Sequence, residues 1–330
     1  MEKVFFTKSG GVDDIDVALS WHPTDVNSIY GIPGYAVLGL NVNFKGTQSH
    51  ASVAPQFGRS ALDALELLNV GIQFLREHVE RDVQFHYFIK ETGEKAANVV
   101  QSKASGEYWI RANSVDQLPE LRERLENVIK GAAMMTGTTC TIEVSTTCCE
   151  YVPNQFLSKL MHKHVTNVAQ AITYSDEELE YTKQLSETTE EQSRKFREKA
   201  YRDIFPEASD KQVEDFMKQA IVTTVIPPIF FNDPAGSTDL GDVSLKIPTA
   251  QALLACEPQF TLMHSWQWVA HGKSTVAQKG MLAAGEVLAR MAVDLFQDKT
   301  LIEDAQKEFE KMSQVHPYLC LIPFLIIVML

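Results

Sequence analysis

Two kinds of hydrophobic periodicity alternate along the first half of the chain. Every second side chain from Leu38 to Phe44 is apolar, which predicts a half-buried β-strand over residues 36–44. After a loop, a four-three spacing of apolar residues predicts a helix of about five turns. This helical stripe consists of Ala61, Leu65, Leu68, Ile72, Leu75 and Val79.

Both patterns return immediately downstream. Residues 83–89 and 106–112 have the alternation typical of strands, the apolar stripe over residues 118–135 predicts a second helix, and residues 139–145 predict a further strand. The order strand, helix, strand, strand, helix, strand is that of a ferredoxin-like sandwich. We therefore predict a complete small domain over residues 34–149.

The segments on either side of this small domain are less complete. Residues 1–33 contain a predicted strand at Lys3–Phe6, a turn and the mostly apolar segment 17–23. Such a short stretch cannot bury a core of its own. We therefore predict that residues 1–33 and 150–330 form one larger α/β domain into which the small domain is inserted.

Two further patterns lie in the second half. Residues 175–218 carry 13 acidic and 8 basic side chains with few apolar ones, which predicts a solvated helical excursion. The last clear element is a helix with an apolar stripe over residues 277–295.

Composition narrows the function. The 330 residues hold 30 basic and 43 acidic side chains, a net charge of −13, which argues against nucleic acid as the main partner. The five cysteines lack C-x-x-C spacing, so a disulfide framework or a zinc knuckle is not expected. The first residues lack the pattern of a secretory signal, and we expect a cytoplasmic protein.

The C-terminal segment from Tyr318 to Leu330 is almost entirely apolar and includes Pro323. It is too short to cross a bilayer, which takes about 20 apolar residues. A buried strand and an altered reading frame both remain open as explanations, because an apolar run alone does not distinguish a strand from another buried segment.

Three of the nine histidines lie in predicted loops bounded by Gly, Pro or Ser, where functional side chains are often held. They are His22, His50 and His264. No H-E-x-x-H, G-x-S-x-G or P-loop pattern accompanies them. The residues alone therefore predict a two-domain α/β protein with three candidate histidines, each of which could also be structural.

Five segments in the same order carry a resemblance to a known family. They are GVDDIDVALSWHP, GTQSHASVAP, AANVVQSKASGEYWIRA, AGSTDLGDVSLKIPTAQ and HSWQWVAHGKSTVAQKGML. From residue 3 to residue 322 the chain resembles the metallopeptidase family of aminoacylases and carboxypeptidase-G-type amidohydrolases. The resemblance implies an α/β catalytic domain with two divalent metals, manganese or zinc, and an inserted ferredoxin-like (βαββαβ) domain for dimerisation. The implied reaction is hydrolysis of an N-acyl amino acid of the aminobenzoyl-glutamate type.

The resemblance also implies roles for individual residues. His22 and His264 match metal ligands, and a neutral imidazole suits zinc or manganese. His50 matches a residue that reaches the active site of a neighbouring subunit and polarises the scissile carbonyl. We expect a homodimer or a dimer with a related subunit, a small acyl-amino-acid substrate, no nucleic acid and no membrane span.

A second group of matched positions concerns the substrate. Asn98 and Arg111 match residues that hold its free carboxylate, for which a guanidinium is well shaped. A turn cap and an exposed strand residue remain the alternatives for these two. Ser237, Thr238 and Asp239 resemble a loop that lines the same cleft, with an N-cap or Asx turn as the alternative.

The chain also departs from the family pattern. Members carry a G-H-x-C-G-H-D-type motif and a Glu-Glu pair upstream of the segment written here KVFF, and these supply most metal ligands and the general base. The pairs Glu177-Glu178 and Glu190-Glu191 lie in the charged excursion and do not match by position. We therefore expect a truncated member with an incomplete catalytic domain and impaired catalysis. The alternative is a non-catalytic dimerisation or interaction protein, or a nonfunctional fragment.

Overall fold

The computed structural model describes residues 2–322. Its small domain contains four strands and two helices in the predicted order. They are β3 (Ala36–Lys45), α2 (Ala61–Leu75), β4 (Gln84–Glu91), β5 (Lys103–Ala112), α3 (Leu118–Thr136) and β6 (Thr139–Cys148). The sheet order is β4-β5-β3-β6 with all neighbours antiparallel. The inserted ferredoxin-like fold is thus confirmed.

Local sequence signals set the ends of both helices in this domain. The Ser60 hydroxyl accepts from the backbone N–H of Asp63 at 3.0 Å and caps α2. Helix α3 ends at Gly137, which has a φ of +65° and the left-handed conformation typical of a helix end. The buried stripes of both helices cover the sheet. Their core includes Leu65, Leu68, Ile72, Leu118, Leu125 and Ile129 packed on Leu38, Leu40, Val42 and Ile110.

A second sheet joins the two ends of the chain. Its strands are β1 (Ala18–Thr24), β2 (Ser28–Ile29) and β7 (Thr249–Ala255), in the order β1-β7-β2. β1 runs parallel to β7, and β2 runs antiparallel to it. Residues before and after the small domain therefore share one sheet, which fits the predicted discontinuous domain. Its exact boundaries stay a prediction.

Two helices cover one face of this second sheet. α4 (Gln155–Ala169) and α10 (Thr275–Gln297) contact each other and β7. The alternate residues Ala250, Ala252 and Leu254 face them. This core also contains Leu157, Met161 and Val165 from α4 and Ala284, Val287 and Met291 from α10. The helix predicted from the apolar stripe over residues 277–295 is confirmed in α10.

Three helices form the predicted charged excursion. They are α5 (Asp176–Glu187), α6 (Glu191–Ile204) and α7 (Asp210–Met217). α6 has no buried residue, as expected for a solvated helix. Three further helices are α8 (Leu240–Ser244), α9 (Trp266–His271) and α11 (Lys299–Ser313).

The prediction of a strand at Lys3–Phe6 is wrong. This segment lies in a helix, α1 (Glu2–Lys8), with an acidic residue in its first turn and a basic one in its last. Val4 and Thr7, three positions apart, form its buried face. A short apolar run does not distinguish helix from strand, and packing against α8 decides the outcome here.

The C-terminal prediction falls mostly on residues 323–330, which lie outside the described residues. Residues 318–322 are in no strand. Tyr318 and Leu321 pack against the core of the small domain, and Ile322 packs near Val4. None of the helices in the described residues is long and apolar enough to cross a membrane. The five cysteines form no disulfide bond.

Candidate active site

The two histidines predicted as metal ligands lie against the same indole ring. His22, near the end of β1, has its ring 6.4 Å from that of Trp268, and His264 lies 5.5 Å from it in an edge-on arrangement. Trp268 belongs to α9, whose N-cap Ser265 accepts from the Trp268 backbone N–H. The fold thus brings together two residues that are more than 200 positions apart in sequence.

The orientation of His22 suits metal binding through its outer nitrogen. Its Nδ1 lies 2.6 Å from the carbonyl oxygen of Pro23. Since a carbonyl only accepts, Nδ1 carries the proton and the lone pair lies on Nε2. A backbone carbonyl behind the ring is the usual support of a metal-ligating histidine. The side chain of His22 is exposed.

The loop that carries His264 has an unusual backbone. Within residues 2–322, Phe260 and His264 are the non-glycine residues with positive φ, at 73° and 65°. This region is unfavourable for side chains with a Cβ and persists where the surroundings hold it. The carboxylate of Asp25, just after β1, accepts from the Phe260 backbone N–H at 3.1 Å. The guanidinium of Arg194 lies 4.5 Å from the centre of the Phe260 ring.

These histidines do not complete a metal site within the described part of the chain. No group of three or more His, Cys, Asp or Glu side chains that could hold a metal occurs there. A catalytic zinc site takes three protein ligands. His22 and His264 are therefore too few to hold a catalytic metal by themselves.

Arg111 lies where the small domain meets the rest of the chain. Its position in β5 is paired with Val37 at the start of β3. Its Nη1 donates to the Ser237 hydroxyl at 2.5 Å, and its guanidinium lies 5.5 Å from the centre of the Trp109 ring. Arg111 of the small domain and Ser237 of the larger part thus form a polar contact across the boundary between them.

The segment Ser237–Asp239 leads into α8. The Thr238 hydroxyl accepts from the Leu240 backbone N–H at 3.3 Å, so this residue has the local turn role considered from the sequence. Asp239 forms an ion pair with Lys3 of α1 at 2.8 Å. A Cβ at Gly241 would lie 2.0 Å from the carbonyl oxygen of Cys149, so glycine permits the close approach of α8 to the end of β6.

His50 lies in an exposed loop after β3, and backbone groups orient its ring. The N–H groups of Ser52 and Val53 donate to its Nδ1 at 3.3 and 3.2 Å. The proton of the neutral ring therefore lies on Nε2, which is left as a hydrogen-bond donor. The loop pairs with the segment that contains Asn98, whose carbonyl accepts from the Ala51 N–H at 2.9 Å.

The small-domain candidates divide between opposite ends of the sheet. Arg111 is level with Val37, whereas His50 and Asn98 lie beyond Lys45 at the other end of β3. At about 3.3 Å per residue, the eight positions from 37 to 45 correspond to about 26 Å. One chain therefore does not place His50 or Asn98 beside Arg111.

Sequence reasoning missed a buried polar cluster at the carboxyl ends of β1 and β7. Asp25 is buried and forms an ion pair with Arg197 of α6. Burial, and secondarily the charge of Asp25, raises the pKa of the Glu257 carboxyl to about 8. The position of Asp25 directly after the mostly apolar segment 17–23 was an available signal, because the ends of parallel strands in α/β sheets often form sites. Arg197 had no such signal, since it lies in a charge-rich helix.

Comparisons with known proteins agree with this architecture. A model of the peptidase dimerisation domain matches residues 35–134. The B subunit of p-aminobenzoyl-glutamate hydrolase from Escherichia coli (strain K12) is 33% identical over 325 residues, which cover 97% of this chain and 67% of that subunit. The chain belongs to the family of this hydrolase subunit.

More distant relatives of this hydrolase-subunit family extend the likeness. Xaa-Arg dipeptidase from Mus musculus is 25% identical over 316 residues, covering 93% of this chain and 59% of the dipeptidase. The crystal structure of an aminobenzoyl-glutamate utilization protein from Klebsiella pneumoniae has a TM-score of 0.50 at 17% identity, covering 87% of this chain and 56% of that one. The likeness to the Klebsiella pneumoniae structure shows a shared fold. The chain spans less than two thirds of the length of both proteins.

Proposed function

We propose that the chain serves the hydrolysis of an amide bond between an acyl group and an amino acid, with an aminobenzoyl-glutamate-like substrate. Membership of the hydrolase-subunit family supports the reaction class, and the name of the Escherichia coli relative supports the substrate. The structural observation that carries the proposal is the contact between Arg111 and Ser237, because it puts a guanidinium at the boundary between the two parts of the chain.

Arg111 would bind the free carboxylate of the amino-acid half of the substrate. A guanidinium has five N–H donors, and the bond to Ser237 uses one of its nitrogens. The remaining donors suit a two-point interaction with a carboxylate. Ser237, Thr238 and Asp239 would line the same cleft, with Asp239 held by Lys3.

His50 would polarise the scissile carbonyl in the cleft of a neighbouring subunit. Its Nε2–H is a donor of the kind that stabilises a developing oxyanion. The distance along the sheet separates it from Arg111 of its own chain. Asn98, which lies in the segment paired with the His50 loop, would contact the substrate from the same partner.

A dimer fits the exposed surface of the small domain. β4 is an edge strand of its sheet, and its side chains Tyr87, Phe88 and Ile89 are exposed. An unpaired edge with apolar side chains is a natural place for a second chain to add. We expect the partner to be a second copy of this chain or a related subunit. We also expect the protein to be cytoplasmic.

His22 and His264 enter the proposal as two members of a larger set of ligands for zinc or manganese. A divalent metal bound there would supply Lewis acidity at the scissile amide. Two imidazoles do not complete such a site within residues 2–322. Catalysis by the chain alone is therefore expected to be impaired.

Mixing two inactive variants tests the proposal. The test uses the active assembly, by which we mean the chain together with the metal and any partner subunit that it needs for hydrolysis. His50→Ala and Arg111→Ala should each abolish hydrolysis of 4-aminobenzoyl-glutamate by this assembly. When the two are unfolded and refolded together, about a quarter of the parent activity should return, because half of randomly mixed dimers are hybrids with one intact site. His78→Ala, an exposed histidine of the same domain, is the control and should remain fully active. Mixtures that stay inactive would contradict a site shared between chains.

A non-catalytic role in dimerisation or interaction is the second candidate function. The lack of a three-ligand cluster in the described residues and the apolar edge strand β4 favour it. Metal analysis of the purified chain with manganese or zinc separates the candidates. About two metals per chain together with hydrolysis support the enzyme, whereas a metal-free dimer without activity supports the interaction role.

A further inference from the structure

A pocket of about 130 Å³ lies at the edge of the second sheet. It is open to solvent on one side and is lined by β2, by α6 of the charged excursion and by the segment of residues 226–231. Its walls are mostly apolar and include Ile29, Ala200, Tyr201, Ile204, Phe216 and Leu253. A cavity of about 150 Å³ lined by such side chains accepts benzene in another protein, so this volume suits one six-membered ring.

Part of the pocket wall lies on the same side of the sheet as His22, whereas Ile29, level with Ala252, belongs to the opposite face. Leu253, in its wall, is directly level with His22 on β1 and with Ser28 on β2. Side chains at matched positions of neighbouring strands point to the same face. With strands about 4.8 Å apart, the backbone of His22 lies about 10 Å from that of Ser28. A group in the pocket would therefore be separated from His22 by a single strand.

Helix α6 connects the pocket to the loop that carries His264. Arg197 contributes to the pocket wall and forms an ion pair with Asp25, which in turn binds the Phe260 backbone N–H. Arg194, one turn earlier, contacts the Phe260 ring. Arg197 thus links the pocket wall, through Asp25, to the loop that carries His264.

We propose that this pocket receives the aromatic ring of the acyl group, and that α6 makes the chain selective for aromatic over small aliphatic acyl groups. The inference rests on the proposed function for the identity of the substrate. The pocket explains why a helix with no buried residue of its own is nevertheless joined by two arginines to the candidate site.

Binding of a ring fragment tests the pocket without any need for catalysis. Ligand-observed NMR with 4-aminobenzamide should show binding to the full chain, and Ala200→Leu, which fills the pocket, should weaken it at least tenfold. Lys199→Leu adds the same side chain at an exposed neighbouring position and should bind like the parent. If Ala200→Leu does not fold, Ile204→Phe fills the same space. Undiminished binding in the filled variant, or equal binding of butyramide and 4-aminobenzamide by the parent, would overturn the inference.

Kinetics of the active assembly separate this inference from the proposed function. Ala200→Leu should lower kcat/KM for 4-aminobenzoyl-glutamate at least tenfold, mainly through KM, and leave N-acetyl-glutamate unaffected. An equal loss for both substrates would contradict the pocket while the hydrolase function stands. If the parent hydrolyses neither substrate, the proposed function fails, and the NMR comparison still decides whether the pocket binds a ring.

Discussion

The small domain and the region around the second sheet bury different kinds of side chain. Among residues 2–322, almost all buried polar and charged side chains lie outside residues 34–149, where Thr147 is the exception. The small domain is built on one apolar cluster from a nearly continuous stretch of chain. The region around the second sheet joins apolar residues from Ile29 to Ala305 and also buries Asp25, Asn27 and Glu257.

This difference distinguishes an apolar scaffold from the region that holds the candidate metal ligands. An apolar core stabilises the fold through hydrophobic burial and close packing, and its side chains have no groups that could take part in a reaction. Buried polar groups are costly unless partnered, so a region that keeps many of them usually does so for function. The predicted metal ligands lie in that region, whereas the candidates Arg111 and His50 lie at the two ends of the small domain.

Core truncations give the largest expected effect and show whether the two regions unfold separately. Leu125→Ala in the small domain and Leu157→Ala in α4 remove fully buried side chains and should each cost about 3 kcal/mol. In native-state hydrogen exchange, Leu125→Ala should lower the protection of β3 and β5, and Leu157→Ala that of β7 and α10. Loss of protection in both regions with either variant would show a single cooperative unit instead.

Asp25→Asn should have an intermediate effect, confined to the region around the second sheet. It leaves the guanidinium of Arg197 without its carboxylate and weakens the bond to the Phe260 N–H. Removing one member of a fully buried ion pair costs about 3–5 kcal/mol, and because Arg197 is partly exposed we expect a smaller cost of about 2 kcal/mol in urea unfolding. Asp14→Asn, at an exposed position, is the matched control with no expected change. If the Asp25 variant were as stable as the control, buried polar contacts would not distinguish the region around the second sheet from the small domain.

The smallest expected effect concerns a contact that ties the two regions together. His316, after α11, lies 3.1 Å from Glu150, whose other oxygen accepts from the Val115 N–H of the small domain. The hydrogen bond to Glu150 raises the pKa of His316 above its ordinary value of 6.5. The contact therefore makes its full contribution to the stability of the folded state below pH 6.5. This contribution is lost as the pH rises through the raised pKa of His316.

Urea unfolding of His316→Gln at pH 5.5 and 8.5 measures this contribution. The variant should be less stable than the parent by up to about 1 kcal/mol at pH 5.5, because the partly exposed pair is screened by solvent, and equal to it at pH 8.5. His78→Gln, an exposed histidine, controls for loss of an imidazole. If the difference in unfolding free energy between parent and variant increased with pH, the ion pair between His316 and Glu150 would not be its cause.

The sequence predicted the small domain almost completely, from Ala36 to Cys148. Each of its elements has a strong periodic pattern, and consecutive elements pack on one another, so local signals and tertiary contacts agree. At Lys3–Phe6 the local signal was ambiguous, and a helix resulted because the segment packs against α8. The candidate histidines were found through their loops and the family resemblance, whereas their common contact with Trp268 could not be foreseen.

By itself, then, the sequence determined the order of elements in the inserted domain, its two helical stripes, its ferredoxin-like fold and the resemblance to the family. The tertiary structure decided which distant residues meet: His22 with His264 at Trp268, Arg111 with Ser237, and Arg197 with Asp25. Periodicity reports only on neighbours within about two turns of helix or one strand. Contacts between residues more than 100 positions apart depend on how two separately formed layers pack, and no local pattern contains that information.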